Sequence, residues 1–533
     1  MRLALFGLLG LLVLGMAAVA VEPKPLCSVR LSLVDEAGRP LPGLVQVRDS
    51  EGQFVELPEL LSRGFGLEPR TALHDWSVVP KPATVRLPPG KYTFRAIAGL
   101  ETEQAEQVVE VQGAEMDVTL PLVRFVDAAA EGYRSANTHL HLMKLSRGQA
   151  DRYLIEVPLA DGLDVVFLSY LERAVADLEY TSNKYTKADL DRLSHHGARF
   201  GNGEEHRHNF TAQGQGYGHV MLLNIPELIQ PVSIGPGITK QGTDGRPLRM
   251  GIEQARSFGS TVIWCHNAWG LEDIPNWVLG RLHANNIFDG GTHGSYKHSF
   301  YRYLNVGLRV PFSTGTDWFM YDFSRVYVPA TKTLSPEEWL TVLAEGRSFI
   351  TNGPLLELMV NGKSLGDTVD VAQGKEVHVE ARGRGRIDFQ RIELLRNGVV
   401  TSQATSRAEA GHFVATLDVR LPMNEPCWLA LRTPPPPVKD DPEFQTPVPK
   451  NDFGCDLFGH TSAVFVTVDG KSHFDIAAAQ GLLDDMHESK HFIEEHAILA
   501  DDTERQRVLA TYDEGIAKLR ERMRGEGAGV RGQ

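Results

Sequence analysis

The sequence predicts a multidomain α+β protein, in which a central α/β region lies between two all-β regions and is followed by a helical tail. Three observations predict this class. Residues 22–126 and 354–470 show the two-residue hydrophobic period of half-buried strands. Residues 127–353 alternate short apolar runs with stretches of helical spacing, such as 274–284, and residues 471–533 are helical in pattern. At 533 residues the chain is too long for a single core.

The N-terminus has the order of features found in secretory signal peptides. Arg2 supplies a positive charge, residues 3–14 are almost entirely apolar, and Ala18-Val19-Ala20 is a small-x-small cleavage site. The apolar run is shorter than the ~20 residues that cross a bilayer, so a cleaved peptide over residues 1–20 is favoured over a retained anchor. We therefore expect a secreted or periplasmic protein without a membrane span.

Charge and cysteine content restrict the partners and the redox chemistry. The formal net charge is −14, so a basic surface for nucleic acid or an anionic membrane is not expected. Four cysteines are too few for a disulfide scaffold. Cys427 and Cys455 lie in the same late region and could pair in an oxidising compartment, whereas Cys265 lies in an apolar run and is predicted to be a buried thiol. The oligomeric state is not predicted.

Residues 22–126 are predicted to form a small β-sandwich. Val29, Leu31 and Leu33 alternate with polar residues, and Leu87-Pro88-Pro89-Gly90 marks a turn before another strand. Through GRPLPG and LPPGKYTF, the stretch resembles carboxypeptidase-regulatory-like β-sandwich modules. Such modules are usually accessory, and no residue in this region is assigned to chemistry.

Local signals place elements in the rest of the chain. Ser335-Pro336-Glu337-Glu338 predicts a helix start with a capping box, and Asn397-Gly398 predicts a hairpin turn. In the tail, five apolar residues recur at steps of three and four, which predicts one packed helix face: Val508, Tyr512, Ile516, Leu519 and Met523.

The segment SANTHLHL contains the first candidate metal ligands. In a strand, residues i and i+2 point to the same side, so His139 and His141 would direct two imidazoles at one point. Imidazole nitrogens are common ligands of divalent transition metals. A His-x-His pair alone also fits two surface histidines on an edge strand, so the motif needs support from other residues.

Three later segments place metal-capable residues beside strand-like runs. His266 follows TVIWC, Asp317 follows VPFSTGT, and Glu205 precedes the run GHVMLL. Ligands at the carboxyl ends of successive strands are typical of α/β barrel active sites, and a buried carboxylate needs a cation or a donor. Each residue alone also fits a satisfied polar group in a core, but their coincidence favours a metal site.

The order of these motifs resembles a known family. NTHLH, GLDVVFLS, GNGEE…GYGHVMLLNI, TVIWCHN, FSTGTD and FITNGPLLELMVNGKSLGD are similar in order and spacing to the PHP (polymerase and histidinol phosphatase) metallohydrolases, above all to the CehA/McbA-type branch. The likeness covers residues 127 to about 470 and includes His460-Thr461-Ser462. It implies a PHP-like distorted α/β barrel over 127–353 that binds divalent ions, followed by a C-terminal β-sandwich over 354–470.

The resemblance also implies roles for single residues. The family's metal-ligand positions fall on His139, His141, Glu205, His266 and Asp317, with Glu204 as an alternative register for Glu205. His219 occupies the family's Gly-His element, and His219 and Arg207 are the candidate catalytic groups that stabilise charge on a substrate oxygen. One or two ions of Zn, Mn or Fe suit such ligands. The implied reaction is attack by a metal-bound hydroxide on a small-molecule or oligomeric phosphoester, ester, carbamate or amide.

Two family positions differ in this chain. Where the family has Thr-Asp-His-Asn, the sequence is Ser169-Tyr170-Leu171-Glu172, and Trp318 or Phe319 stands in place of the last histidine. Fewer ions are therefore expected. Five residues are candidate substitutes, although the histidines among them are more simply interpreted as solvated loop residues: Glu172, His206, His208, His293 and His298.

The alternative hypothesis is a degenerate, non-catalytic barrel that binds a glycan or another small molecule. Six aromatic residues would then line a cleft, although aromatic residues more commonly fill cores: Trp264, Trp269, Trp277, Tyr296, Tyr301 and Tyr303. The persistence of the five ligand positions favours the hydrolase. A serine or cysteine nucleophile is not predicted, because no Gly-x-Ser-x-Gly motif occurs and Cys265 lies in an apolar run.

Overall fold

The computed structural model describes residues 26–68, 71–170, 180–211, 215–230, 245–267, 270–291, 294–439, 441 and 445–530. Within these residues the molecule is a mixed α+β multidomain protein with large β-sheets and a C-terminal helical region, as the sequence predicts at that level. The predicted signal peptide lies outside the described residues, as do Glu172, Trp269 and His293.

Eight strands form the N-terminal β region: β1 Cys27–Val34, β2 Gly43–Arg48, β3 Leu61–Ser62, β4 Ser77–Val79, β5 Ala83–Leu87, β6 Gly90–Ile97, β7 Ala105–Val111 and β8 Glu115–Pro121. They form a three-stranded sheet in the order β5-β1-β8 and a five-stranded sheet in the order β3-β4-β2-β6-β7. Val29, Leu31 and Leu33 of β1 are buried while the residues between them reach solvent, which confirms the predicted alternation. Apolar residues of both sheets share one core.

The central region contains eight strands: β9 Tyr133–His141, β10 Val165–Tyr170, β11 Arg199–Asn209, β12 Gly216–Leu223, β13 Thr261–Trp264, β14 Ala284–Asn286, β15 Phe312–Ser313 and β16 Asp317–Trp318. Its helices are α1 Arg147–Asp161, α2 Lys187–Leu193, α3 Leu248–Ser257, α4 Asp273–Val278, α5 Arg302–Leu304 and α6 Pro336–Ala344. The strands pair in the order β15-β14-β13-β12-β11-β10-β9, and β16 pairs with β9.

The strand directions bring the carboxyl ends together. β9 is parallel to β10 and β16, β10 is parallel to β11, and β13, β14 and β15 are parallel to one another. β12 is antiparallel to both β11 and β13, so β13 runs in the same direction as β11. Every strand of this set except β12 therefore ends at the same edge of the sheet.

Local sequence explains where several helices begin and end. α6 begins at the predicted capping box, in which Ser335 accepts from the backbone of Glu338. The helix predicted over 274–284 is shorter than expected, because α4 ends at Val278. Gly280 then adopts φ 66°, a left-handed conformation that ends a helix, and β14 begins at Ala284.

Twelve strands follow the central region: β17 Arg325–Pro329, β18 Phe349–Thr351, β19 Leu355–Val360, β20 Thr368–Val371, β21 Lys375–Gly385, β22 Arg391–Arg396, β23 Val399–Thr405, β24 Arg407–Glu409, β25 His412–Met423, β26 Cys427–Arg432, β27 Gly459–Thr461 and β28 Val464–Val468. The large sheet continues from β9 through β17-β18-β27-β26-β22-β23, while β19-β21-β25-β24 form a separate sheet. The predicted hairpin at Asn397-Gly398 joins β22 to β23.

The C-terminal helices pack on the central region. They are α7 Ile476–His496, which Asp475 caps, and α8 Asp502–Val530. On α8 four residues of the predicted apolar stripe are buried, with Val508, Tyr512 and Leu519 at 0% exposure, and Met523 is partly buried. The Tyr512 hydroxyl donates to the carbonyl of Leu271 at 2.9 Å, which ties α8 to the segment before α4.

None of the described helices is long and apolar enough to cross a membrane. All four cysteines are free, so the suggested Cys427–Cys455 disulfide is not formed. Cys427 lies on β26 with its Sγ 3.8 Å from the Met423 Sδ, whereas the Cys455 thiol faces Asp322. Cys265 is a buried thiol, as predicted.

Candidate metal centre

Strand β9 presents the first two candidate ligands. His139 and His141 are both 0% exposed, and their Nε2 atoms lie 3.1 Å apart, which confirms the same-side geometry expected for residues i and i+2. The Nδ1 of His141 lies 3.0 Å from the Ser169 carbonyl oxygen at the end of β10. Because a carbonyl oxygen only accepts, Nδ1 carries the proton and the Nε2 lone pair of His141 faces His139.

Strand β11 brings Glu205 to the same point. Its Oε2 lies 3.3 Å from the Nε2 of His141. Glu204 points to the opposite face of β11, where its Oε1 accepts a hydrogen bond from the Nδ1 of His206 at 2.8 Å. Of the two candidate acidic ligands, Glu205 therefore faces the centre and Glu204 does not.

Asp317 completes this group. It lies on β16 opposite Leu140, and its Oδ1 is 3.4 Å from His139 Nε2 and 3.6 Å from His141 Nε2. This buried oxygen has no hydrogen-bond partner within the described part of the chain. One ligand atom from each of four residues, His139, His141, Glu205 and Asp317, lies within 4.8 Å of the other three.

These four side chains fit a divalent cation. Both rings have their Nδ1 atoms engaged by acceptors, since that of His139 lies 2.9 Å from Asp289 Oδ2. Two Nε2 lone pairs at 3.1 Å repel one another unless they share a positive charge. Two imidazoles and two carboxylates form a donor set that suits Zn, Mn or Fe.

A second ligand group lies on the other side of Glu205. His219 Nδ1 is 2.8 Å from Glu205 Oε1, and His266 Nε2 is 3.3 Å from the same oxygen. These three residues also bring ligand atoms within 4.8 Å of one another. The two carboxylate oxygens of Glu205 therefore face two different ligand groups.

Asp289 is a member of the centre that the sequence did not reveal. It follows the three-residue strand β14 and is 0% exposed. Its Oδ2 lies 2.9 Å from His139 Nδ1, and its Oδ1 lies 3.3 Å from His266 Nδ1 and accepts from the His266 backbone N–H at 3.1 Å. Asp289 therefore orients two of the candidate ligands. Its position after a strand at the shared edge was the one available signal.

Burial and opposite charges act against each other on these groups. Burial opposes protonation of His139, but the charge of Asp317 and the hydrogen bond with Asp289 raise its pKa above the ordinary value. Burial likewise opposes protonation of His266, whose pKa Asp289 nevertheless raises well above its ordinary value. Burial raises the pKa of Asp317. Because metal ions displace protons from such ligands, ion binding here is coupled to pH.

The two predicted catalytic residues lie beside Glu205. Arg207 NH1 is 3.7 Å from Glu205 Oε1 and donates to His219 Nε2 at 3.0 Å. Although burial favours the neutral acid, the charge of Arg207 and the hydrogen bond from His219 hold the pKa of Glu205 well below its usual range. Burial and the Arg207 charge lower the pKa of His219 to about 3, so its imidazole is neutral at ordinary pH.

The other candidate residues lie away from the centre. His206 and His208 are buried on the opposite face of β11, so the expectation of solvated loop histidines is wrong for them, whereas His298 is exposed. Of the aromatic residues proposed for a cleft, the described ones are at most 3% exposed and belong to a hydrophobic core: Trp264, Trp277, Tyr296, Tyr301 and Tyr303. These five rings therefore do not line an open cleft.

The backbone around the centre is held in unusual conformations. His266, Asn267 and Asp317 have φ of 56°, 64° and 59°, in the left-handed region that non-glycine residues rarely adopt. Two glycines permit close approach: a Cβ on Gly290 would lie 2.7 Å from Asp317 Oδ2, and one on Gly315 would lie 2.6 Å from His139 Cβ. Strained backbone of this kind is typical of functional sites.

Comparisons with known proteins assign no family. No family model matches the chain, and no curated protein matches it. Among solved structures, the Bacillus anthracis TIE protein is 9% identical with a TM-score of 0.13, over 85% of this chain and 51% of that chain. The chain thus spans about half the length of that protein, and a similarity this low carries no conclusion about fold or function.

Proposed function

We propose that this protein is an exported, metal-dependent hydrolase of phosphoesters, esters, carbamates or amides. One observation carries the proposal. The Nε2 atoms of His139 and His141 face each other at 3.1 Å in a buried site, while acceptors already engage both Nδ1 atoms. A cation shared by these two nitrogens would relieve the repulsion between their lone pairs, and the carboxylates of Glu205 and Asp317 would complete its ligand set.

The convergence of the motif positions supports the PHP assignment. The residues at the family's ligand positions lie in two adjacent ligand groups that share Glu205, although they come from distant parts of the sequence: His139, His141, Glu205, His266 and Asp317. The proposed architecture is a PHP-like distorted α/β barrel of the CehA/McbA type over residues 127–353. Flanking β-sandwiches over 22–126 and 354–470 belong to the same proposal, as does the cleaved signal peptide over 1–20.

Two ligand groups that share Glu205 support a site for one or two ions of Zn, Mn or Fe. Such ions, when bound, lower the pKa of a water molecule toward neutrality and polarise the group to be cleaved. The protein supplies the rest. Glu205 holds the two ligand groups together through its two oxygens. Arg207 is a fixed positive charge beside them, positioned to stabilise negative charge that develops on a substrate oxygen. His219, being neutral, remains a ligand or a donor at ordinary pH.

Elemental mass spectrometry on the purified mature protein tests the proposal. We expect one or two equivalents of Zn, Mn or Fe in the wild type and none in a His139→Ala/His141→Ala variant. The matched control is His195→Ala/His196→Ala, which removes two adjacent exposed histidines and should retain the wild-type metal content.

Hydrolysis is then measured with metal-loaded protein on chromogenic phosphoesters, esters, carbamates and amides. Activity in the wild type and the control, but not in the His139→Ala/His141→Ala variant, is the expected result. A wild type that binds no metal after incubation with each ion contradicts the metal site. Metal binding without any hydrolysis would instead indicate a non-catalytic binding module.

A further inference from the structure

The residues around Asp317 hold an unfavourable backbone conformation. Residues 316–320, called here the Asp317 segment, include Asp317 and Phe319 with φ of 59° and 54°. A left-handed conformation is unfavourable for a non-glycine residue. Thr316 N donates to the carbonyl of His139 at 3.0 Å, and Phe319 N to that of His141 at 2.9 Å. Strain of this kind persists only where surrounding contacts hold it in place.

One set of holding contacts comes from the N-terminal β region. Arg63, which directly follows β3, is 0% exposed, and its guanidinium donates to the carbonyl of Met320 at the end of the Asp317 segment. The same guanidinium donates twice to the Asp161 carboxylate, at 3.2 and 2.6 Å, where α1 ends. Arg63 thus links the N-terminal region, α1 and the Asp317 segment in a fully desolvated contact.

Gly66 makes the second contact. Its φ is 88°, and a Cβ there would lie 2.3 Å from the Cε1 atom of the Phe319 ring. The same ring packs edge-on against Tyr153 of α1, with centroids 5.6 Å apart. The Tyr153 hydroxyl also accepts from the backbone N–H of Met320 at 2.8 Å. The Phe319 side chain is therefore enclosed between the N-terminal region and α1.

The geometry assigns the N-terminal β region a part in the metal centre. Arg63 and Gly66 are positioning residues that hold the Asp317 segment, and thereby keep Asp317 Oδ1 beside His139 and His141. This inference rests on the proposed function and extends it to a region that sequence patterns treat as accessory. A purely structural role for Arg63 would change the stability of the protein but not its metal affinity.

Gly66→Ala tests the inference directly, because the added methyl group collides with the Phe319 ring. Gly52→Ala is the matched control, since Gly52 has a similar φ of 79° but no atom within 4 Å of a Cβ. Zn²⁺ affinity of the full-length proteins is measured by competition with a chromophoric chelator, alongside thermal unfolding of the metal-free proteins. We expect Gly66→Ala to weaken Zn²⁺ binding about 10–100-fold and Gly52→Ala to leave it unchanged.

Two further variants separate positioning from general destabilisation. Arg63→Lys keeps a positive charge for Asp161 but loses the planar fork that reaches Met320 at the same time, so weaker Zn²⁺ binding is expected. Adding Phe319→Leu to Gly66→Ala shortens the side chain that the methyl group strikes. This second change should restore Zn²⁺ affinity toward the wild-type value, which loss of stability alone would not produce.

The outcomes separate this inference from the proposed function. Wild-type Zn²⁺ affinity in both Gly66→Ala and Arg63→Lys would overturn the inference and leave the proposed function standing. A wild-type protein that binds no Zn²⁺ would overturn both. If Gly66→Ala does not fold, the affinity of Arg63→Lys decides alone.

Discussion

At the scale of single residues, each imidazole on β9 has its second nitrogen fixed by a defined acceptor. His141 donates to the Ser169 carbonyl at 3.0 Å, and His139 to the Asp289 carboxylate at 2.9 Å. Such partners fix the ring orientation and make the ligand nitrogen more basic. Asp289 adds a full negative charge, because the charge of His266 and the hydrogen bond from His139 keep its pKa below the ordinary value despite burial.

Asp289→Asn is therefore expected to weaken metal binding even though it leaves the His139, His141, Glu205 and Asp317 side chains in place. The amide keeps the size of the carboxylate but loses its charge, and Zn²⁺ affinity should fall about 10–100-fold. Competition with a chelator measures this. The control is Asp273→Asn, which alters a buried carboxylate bound to Arg302 and Tyr303 and should not change Zn²⁺ affinity. Equal affinity in Asp289→Asn and wild type would show that Asp289 does not support the centre.

The sequence predicts those site residues that form a local pattern along the chain. His139 and His141 repeat at the two-residue period of a strand, and this period places both rings on one side. Asp289 follows a strand of three residues, which is too short to show any period. Its partner His139 lies 150 residues away in sequence, so nothing local connects the two. The family resemblance did not include this position either.

At the scale of elements, β11 separates two sets of polar residues by alternation. Glu205 and Arg207 face the centre, while Glu204, His206 and His208 face the other side. A shift of one residue would exchange the two sets. The stretch GNGEEHRHN has no hydrophobic alternation, so its pattern does not indicate a strand with buried histidines. Both faces of the strand are buried, so polar contacts replace the hydrophobic pattern that sequence reasoning relies on.

The start of α4, which packs against α8, contains a buried acid that opposes folding at neutral pH. Glu272 is 0% exposed, and its Oε1 has no hydrogen-bond partner among the described residues. Its Oε2 receives a long hydrogen bond of 3.4 Å from Asn276. Burial raises the pKa of Glu272 from its ordinary value of 4.5 to about 7. The folded state therefore loses stability as pH rises from about 4.5 to 7, because the unfolded chain ionises first.

Glu272→Gln is expected to stabilise the protein at pH 8, since the amide does not ionise. The gain should be about 3 kcal/mol at pH 8 and near zero at pH 4. Urea unfolding at both pH values measures the free energy of unfolding. Glu337→Gln, on the exposed side of α6, is the control and should change stability by less than about 0.5 kcal/mol at either pH. A gain that is equal at pH 4 and pH 8 would contradict the ionisation argument.

At the scale of the whole molecule, the regions that sequence patterns separate are joined by buried contacts. The large sheet runs without a break from β9 through β17 and β18 into the C-terminal strands. Arg386 of the loop after β21 donates to the carbonyls of Gly99 and Thr102 in the N-terminal region, at 3.1 and 2.7 Å. Local periodicity predicts the elements within each region. It contains no information on such contacts, because an arginine that will be buried has the same local pattern as one that stays in water.

His460 lies on β27, where the large sheet passes from the central region to the C-terminal strands. The side chain is 0% exposed. Its Nε2 accepts from the Tyr301 hydroxyl at 2.7 Å, and its Nδ1 donates to the Thr461 carbonyl at 2.8 Å. Burial and the charge of Arg432 lower the pKa of His460 to about 3. The neutral ring of His460 thus links β27 to the segment of Tyr301, which lies 159 residues earlier in the sequence.

His460 should therefore make the stability of the whole fold depend on pH. Between about pH 6.5 and pH 3 the unfolded chain binds a proton at this position that the folded protein does not, so the folded state loses about 1.4 kcal/mol per pH unit as pH falls. His460→Gln removes this proton while keeping a polar side chain. We expect the free energy of unfolding of this variant, measured by urea at pH 8, 6, 5 and 4, to fall less steeply with decreasing pH than that of the wild type, even if it is lower at pH 8.

The control is His195→Gln, which alters an exposed histidine and should reproduce the wild-type profile. Parallel profiles for His460→Gln and the wild type would show that the folded protein protonates His460 as readily as the unfolded chain does.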